Sequence, residues 1–299
     1  MRALVVGCGY VGLPLGTELA RLGHEVFGVR RNAVVKDKLR AAGIQPLVAD
    51  ITKPNELAKL PRRFDWAVNC VASRGGSVED YRRIYLQGMW NLIEWLSTSP
   101  PQKFVYTSST SVYGQPDGSL VEETNPTEPS AGTARILVET EKLLIKSGGS
   151  QLRSPHQKLP AVILRVAAIY GPERGHWFRQ FLKNEARIQG DGSCFLNMIH
   201  RDDVVGSIIA ALENGRPGEI YNAVDDEPVS QMNFFRWLAK ELGKKLPLSV
   251  LEIPDESCKR GITNKRVSNR KLKVELGYQF KYPDFRSGYS PLIVEALKR

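Results

Sequence analysis

Gly7-Cys8-Gly9-Tyr10-Val11-Gly12 sets three glycines at a spacing that suits phosphate binding. A short apolar run, Ala3–Val6, leads into them, and a helix-like stretch, Leu13–Leu22, comes next. Alone, Gly-x-Gly-x-x-Gly is a weak signal; between a strand and a helix it is the dinucleotide fingerprint. Gly7 is expected to permit the tight turn, Gly9 to let the backbone approach a pyrophosphate, and Gly12 to let the helix pack on the strand. The helix N-terminus adds free N–H groups and a partial positive charge for the phosphates. Tyr10 and Val11 complete the expected loop contacts. Three glycines would break the apolar core of a secretory signal, and no small-residue cleavage site is evident. Cys8 sits where a helix N-terminus could lower a thiol pKa, although a small residue that simply fits is the plainer reading.

Which dinucleotide is bound depends on the end of the second strand. An acidic residue there holds the ribose 2′-OH of NAD, whereas an arginine accommodates the 2′-phosphate of NADP. The chain reads Phe27-Gly28-Val29-Arg30-Arg31-Asn32, without a carboxylate. NADP is therefore the expected cofactor, with NAD the alternative if Arg30 and Arg31 are merely solvated. Asp50 could bond the adenine amino group, or cap the Thr52–Leu60 segment. Ala72, after the fourth strand, joins the expected cofactor contacts.

These residues need a scaffold. Strand patterns fall at Arg2–Val6, Glu25–Val29, Gln45–Val48, Trp66–Asn69, Lys103–Thr107 and Ala161–Arg165. Helix patterns fall between them, at Val11–Leu22, Ala33–Ala42, Asn55–Leu60, Val78–Leu96 and Thr133–Lys146. Such alternation predicts an α/β fold, a doubly wound Rossmann parallel sheet with its ligand beyond the strand C-termini. Residues 1–171 are expected to form the dinucleotide-binding domain, with 196–222 returning to it. Residues 172–299 are expected to form a smaller C-terminal substrate lobe. Ser147–Pro160 reads as a surface loop.

The 299 residues are 42% hydrophobic and 25% charged, the composition of a globular protein. No apolar run approaches the roughly 18 residues that span a membrane. Cys8, Cys70, Cys194 and Cys258 lack paired or metal-ligand spacing, so a reduced cytoplasmic setting without a metal site is expected. The net charge of +10 owes much to Lys259, Arg260, Lys265, Arg266, Arg270, Lys271 and Lys273. Without interleaved aromatics, that run reads as a solvated helix face rather than a nucleic-acid site. An anionic cofactor or substrate would explain part of the excess.

Later segments resemble the extended short-chain dehydrogenase/reductases, the NAD-dependent epimerase/dehydratase family. Phe104-Val-Tyr-Thr-Ser-Ser109-Thr-Ser-Val-Tyr113-Gly114 is similar to its "SS-x-x-VYG" segment. Leu164-Arg165 through Tyr170-Gly171-Pro172 resembles "LR-x-x-x-x-YGP", and Asn197-Met-Ile-His200-Arg-Asp202 its "F-I-H-V-x-D". Tyr221-Asn222 is similar to its "YN", and Lys271-Leu-Lys-Val-Glu-Leu276-Gly277 to its "K-x-x-x-E-LG". The resemblance implies hydride chemistry with Ser109 at the catalytic serine or threonine position. It also implies a Tyr-x-x-x-Lys pair, because a phenol near pKa 10 is a poor base without a nearby cation. That pair is absent. Aligning Arg135-Ile-Leu-Val-Glu139 with the family's "K-x-x-x-E" puts Arg135 at the lysine and Ala131 at the tyrosine. The family's asparagine on the preceding helix is Tyr85, and the arginine that holds a nucleotide-sugar diphosphate is Leu196.

The expected protein is thus an atypical family member, an NADP-dependent reductase or epimerase-like enzyme for a small polar or sugar-like substrate. Ser109 and Arg135 are its foremost catalytic candidates, and Arg135 is also expected to bind the cofactor by holding ribose hydroxyls. Thr133, Tyr113 and His200 are candidates for the missing proton donor. A non-catalytic NADP-binding redox sensor or regulatory protein is the alternative. Val78–Leu96 carries more apolar surface than one core-facing stripe needs. The resemblance implies that it pairs with Thr133–Lys146 in a homodimer; the alternative is a helix buried within one chain.

Overall fold

Short, almost wholly apolar runs build the centre of the molecule, as expected for strands covered on both faces. In the computed structural model, residues 1–73, 75–146, 159–251 and 263–298 are described. Most of the expected Ser147–Pro160 loop lies outside them, as do Cys258, Lys259 and Arg260.

The first half runs β1 (Arg2–Val6), α1 (Gly12–Arg21), β2 (Glu25–Arg30), α2 (Lys36–Ala41), β3 (Ile44–Val48), α3 (Pro54–Leu57) and β4 (Trp66–Asn69). It continues with α4 (Val78–Tyr81), a π-helical turn at Arg82–Gln87, α5 (Gly88–Ser97), β5 (Lys103–Ser109), β6 (Leu120–Val121), α6 (Gly132–Lys146) and β7 (Ala161–Val166). The second half holds β8 (Ala168–Tyr170), α7 (His176–Leu182), β9 (Arg187–Gln189), β10 (Phe195–Leu196), β11 (Met198–His200), α8 (Arg201–Asn214) and β12 (Ile220–Ala223). It ends with β13 (Val229–Ser230), α9 (Gln231–Leu242), β14 (Leu248–Val250), β15 (Arg266–Val267), α10 (Arg270–Leu276) and α11 (Phe285–Leu297).

Seven strands form one sheet in the order β12-β7-β5-β4-β1-β2-β3, and every pairing is parallel. This is the Rossmann-like α/β fold anticipated from the alternation. Along β1, Ala3 and Val5 enter one core with Leu15, Leu19 and Ile208, while Leu4 and Val6 enter another with Leu57, Met89 and Leu92. A third core joins Phe178, Phe181, Phe234, Phe235, Phe285 and Tyr289 from α7, α9 and α11. β12 returns from this later half to the sheet edge beside β7.

The expected single helix at Val78–Leu96 is interrupted. At its π turn the Gly88 N–H reaches the Arg83 carbonyl, five residues back. The extra residue rotates α5 about the helix axis relative to α4. Tyr81 and Tyr85 consequently bury in the first core, whereas Met89, Leu92, Ile93, Trp95 and Leu96 bury in the second. Two successive faces explain an apolar surface too wide for one stripe, and Trp90 is the aromatic left exposed.

Candidate active site

The glycine loop is as tight as its sequence implies. Gly7 has φ 89°, and a Cβ there would lie 2.8 Å from the Val71 nitrogen. At Gly12, the first residue of α1, a Cβ would come within 2.4 Å of the Gly7 carbonyl oxygen. The loop can thus fold back on the strand only without side chains at these points. Cys8 is buried beneath it, and burial pushes its thiol up to about 12 despite Arg30 nearby. It is a packing residue, held against Gly28.

A cleft of about 1390 Å³ runs along the C-terminal edge of the sheet. Gly7, Gly9, Tyr10, Val11, Arg30, Arg31, Asp50 and Ala72 all line it, whereas Gly12 stands behind the loop. The Arg30 guanidinium lies over Gly9, where a Cβ would sit 3.1 Å from its Nη1. The Asp50 carboxylate accepts from the Thr52 backbone N–H at 2.9 Å and from its hydroxyl at 2.8 Å. It therefore stabilises the turn before α3 while facing the cleft. Tyr10 donates to the Pro172 carbonyl at 3.0 Å, and the guanidinium groups of Arg174 and Arg201 lie 4.9 and 5.5 Å from its ring centre. Burial raises its phenol to about 12, against the opposing charges of Arg201 and Arg174.

At the opposite end of the lining, β5 finishes with two serines that both line the cleft and whose side chains have different partners. Ser109 lines the cleft, and its Oγ accepts from the Ser111 N–H at 3.2 Å. Ser108 donates to Glu141 at 2.5 Å. Glu141 forms a buried pair with Arg165 at 2.8 Å. Arg165 also donates to the Tyr113 hydroxyl at 2.8 Å, and Tyr113 donates to Asn222 at 2.8 Å. Tyr113, fully buried, is outside the cleft lining, and burial raises its pKa more than Arg165 lowers it. Its hydroxyl ties the segment after β5 to β7 and β12.

On α6 the structure separates the other candidates. Arg135 is exposed, outside the cleft lining, and its Nε donates to the Pro129 carbonyl at 3.1 Å. Leu137 is the α6 residue that lines the cleft, and buried Thr133 lies one turn before it. Glu139 is exposed and pairs with Arg82 at 3.2 Å, so the glutamate buried against the sheet is Glu141. His200 is buried, and its Nδ1 accepts from the Asp202 N–H at the start of α8. Burial first, with Arg201 and Lys281 adding and Asp202 opposing, pushes its pKa down to about 4. A neutral, helix-capping imidazole outside the cleft lining is the result.

Tyr85 is the cleft residue that sequence reasoning missed as a catalytic candidate. It is buried, lines the cleft, and its hydroxyl accepts from the Ser73 N–H at 3.1 Å. Ser73 lines the cleft too, and its buried Oγ has no hydrogen-bond partner among the described residues. The signal was the departure from asparagine at position 85. The basic run near the C-terminus is largely spoken for: Lys271 pairs with Glu219 at 2.7 Å and Lys273 with Asp226 at 2.9 Å. Lys265 is buried and donates to the Tyr113 carbonyl, so it leaves the expected solvated helix face, whereas Arg270 and Lys273 on α10 are exposed. Burial lowers Lys265 to about 8. No described helix is long and apolar enough to cross a membrane.

A parallel sheet, a glycine turn opening α1 and a cleft along the strand C-termini define a dinucleotide-binding protein of the Rossmann class. The chain belongs to the NAD dependent epimerase/dehydratase family, whose family model matches residues 3–223. It is 28% identical over 288 residues to protein YeeZ of Escherichia coli, covering 95% of this chain and 97% of that one. It is 24% identical to a 3-diazoavenalumate denitrifying reductase of a Streptomyces species, over 96% and 99% of the two chains. Its fold matches DesIV, a dTDP-glucose 4,6-dehydratase of Streptomyces venezuelae solved with NAD bound, at a TM-score of 0.84 and 20% identity over 100% and 98% of the chains.

Proposed function

We propose that this protein is an NADP-preferring reductase or epimerase-like enzyme for a small polar or sugar-like substrate. One cleft joining Gly7, Gly9, Arg30 and Arg31 to Ser109 carries this reading. Its volume exceeds the roughly 300–1,000 Å³ of a single-ligand pocket, leaving room for a substrate beside a dinucleotide. The absence of a Cβ at Gly7, Gly9 and Gly12 and the unpartnered Ser73 Oγ fit such a cofactor. The nicotinamide, when bound, supplies or accepts hydride. The loop N–H groups would hold its pyrophosphate, and Arg30 and Arg31 its 2′-phosphate.

Taking buried Glu141 as the family's glutamate shifts the α6 alignment by two residues. Leu137 then occupies the lysine position and Thr133 the tyrosine position. Ser109 would hydrogen-bond the substrate oxygen, and Tyr85 would exchange a proton with it. Leu196 disfavours a nucleotide sugar, and a relative named a reductase supports reduction of a small molecule. The substrate would lie between the sheet edge and the 172–299 lobe. The free thiols Cys8, Cys70 and Cys194 fit a reducing, cytoplasmic setting.

NADPH oxidation across a panel of carbonyl compounds tests this, comparing wild type with Ser109→Ala and Tyr85→Phe. Turnover that falls in both variants is expected, and full activity in both overturns the assignment. Leu137 favours one alternative, a non-catalytic NADP-binding regulator. Tight NADPH binding with no turnover on any substrate would select it.

A further inference from the structure

The wall of the cleft built by α7 carries a stripe that neither the glycine loop nor the Ser109 end uses. His176, Arg179, Gln180 and Lys183 all line the cleft. Their spacing of three and four residues places them on one face of α7 and its C-cap. The opposite face is fixed, since Phe178 and Phe181 are buried in the third core. Gly175, at φ 145°, starts the helix where a Cβ would press within 3.2 Å of the Tyr289 hydroxyl. The helix therefore cannot turn its charges away without exposing two phenylalanines.

Two like charges four residues apart repel each other. Arg179 and Lys183 make no ion pair among the described residues, in contrast to Arg83, which lines the same cleft and binds Asp80 at 3.1 Å. Glu185 is the carboxylate on this wall. His176 titrates below its usual range, mainly through burial and secondly through the charge of Arg179. Arg174 is a separate case, because its guanidinium covers Tyr10 in the glycine loop.

We propose that Arg179 and Lys183, aided by Gln180, bind an anionic group of the substrate, a phosphate or a carboxylate, away from the reacting carbon. This rests on the reading of the cleft as a joint cofactor and substrate site. An anion at this wall would relieve the repulsion between the two cations. Its charge-assisted hydrogen bonds would fix the substrate's orientation.

Calorimetric titration of the full chain with inorganic phosphate and with malonate tests the proposal, using both cofactor-free and NADPH-saturated protein. Phosphate binding alone assigns the group as a phosphate, and malonate binding alone as a carboxylate. Arg179→Gln with Lys183→Gln is expected to weaken binding by about ten- to a hundredfold. Lys38→Gln with Lys142→Gln, which removes the same charge outside the cleft, should leave it unchanged. NADPH affinity should be the same in all three proteins. Undiminished anion binding in the Arg179/Lys183 variant, or no binding of either anion by wild type, overturns the proposal. A parallel loss of NADPH affinity overturns it too, by giving the stripe to the cofactor. If wild type fails to bind NADPH, the proposed function fails, while the cofactor-free titration still decides the stripe.

Discussion

At the ends of β5 and β7, Ser108, Tyr113, Glu141, Arg165 and Asn222 join their side chains in a buried hub that also reaches the Glu123 and Ser268 carbonyls. On the cleft side, next to Ser108 in sequence, Ser109 faces a wall where α6 presents Leu137. Both regions come from segments that resemble family signatures. The hub is rich in polar partners, whereas α6 lines the cleft with Leu137 rather than with a phenol or an ammonium. The contrast separates residues that hold the strand ends from residues that act on a ligand. Much of the family likeness in this chain therefore reports the fold.

Removing the hub's carboxylate should have the largest effect on stability. Glu141→Ala leaves the Arg165 charge buried and uncompensated, a change expected to cost about 3–5 kcal/mol. Urea unfolding measures it, and a loss below about 1 kcal/mol would erase the distinction between hub and cleft. Ser109→Ala should do the reverse. Turnover should drop by about 10²–10³, the scale for removing one positioned hydrogen bond to a developing oxyanion. Its unfolding midpoint should hardly move.

His200 offers a third measurement, in pH. Its folded pKa, about 4, lies below the ordinary value of 6.5. Its contribution is therefore fully present above about pH 6.5 and is lost as pH falls toward 4. His200→Gln should flatten the stability profile across that window, and an unchanged slope would assign the acid lability to other groups. The smallest effect is expected at the far end of the cleft. Arg30→Ala with Arg31→Ala should weaken NADPH about ten- to a hundredfold, with NADH hardly altered. Equal losses for both cofactors would remove the 2′-phosphate role.

The strands were legible because each is a short apolar run with polar residues at its ends. Trp66–Asn69 was anticipated to the residue, and β5 extends two residues further than expected, to Ser109. The glycine loop was legible because its chemistry is local. The α6 alignment was not, since Glu139 and Glu141 are the same residue type on the same helix. Only tertiary burial, by Arg165 and Ser108, distinguishes them. Tyr113 and His200 have chemically attractive side chains, but contacts more than a hundred residues away for one and a helix start for the other absorb them. Tyr85 enters the cleft through a π turn that no residue type spells out.

That turn makes the chain's length between Arg82 and Gln87 a functional quantity. Deleting one residue there would restore an ordinary helical winding and swing α5 by about 100° relative to α4. Either Tyr85 would leave the cleft or Met89, Leu92 and Trp95 would leave their core. Substitutions in this segment can thus be absorbed one side chain at a time, whereas the loss of a single position cannot. Insertions and deletions, more than point changes, are what this helix is built to resist.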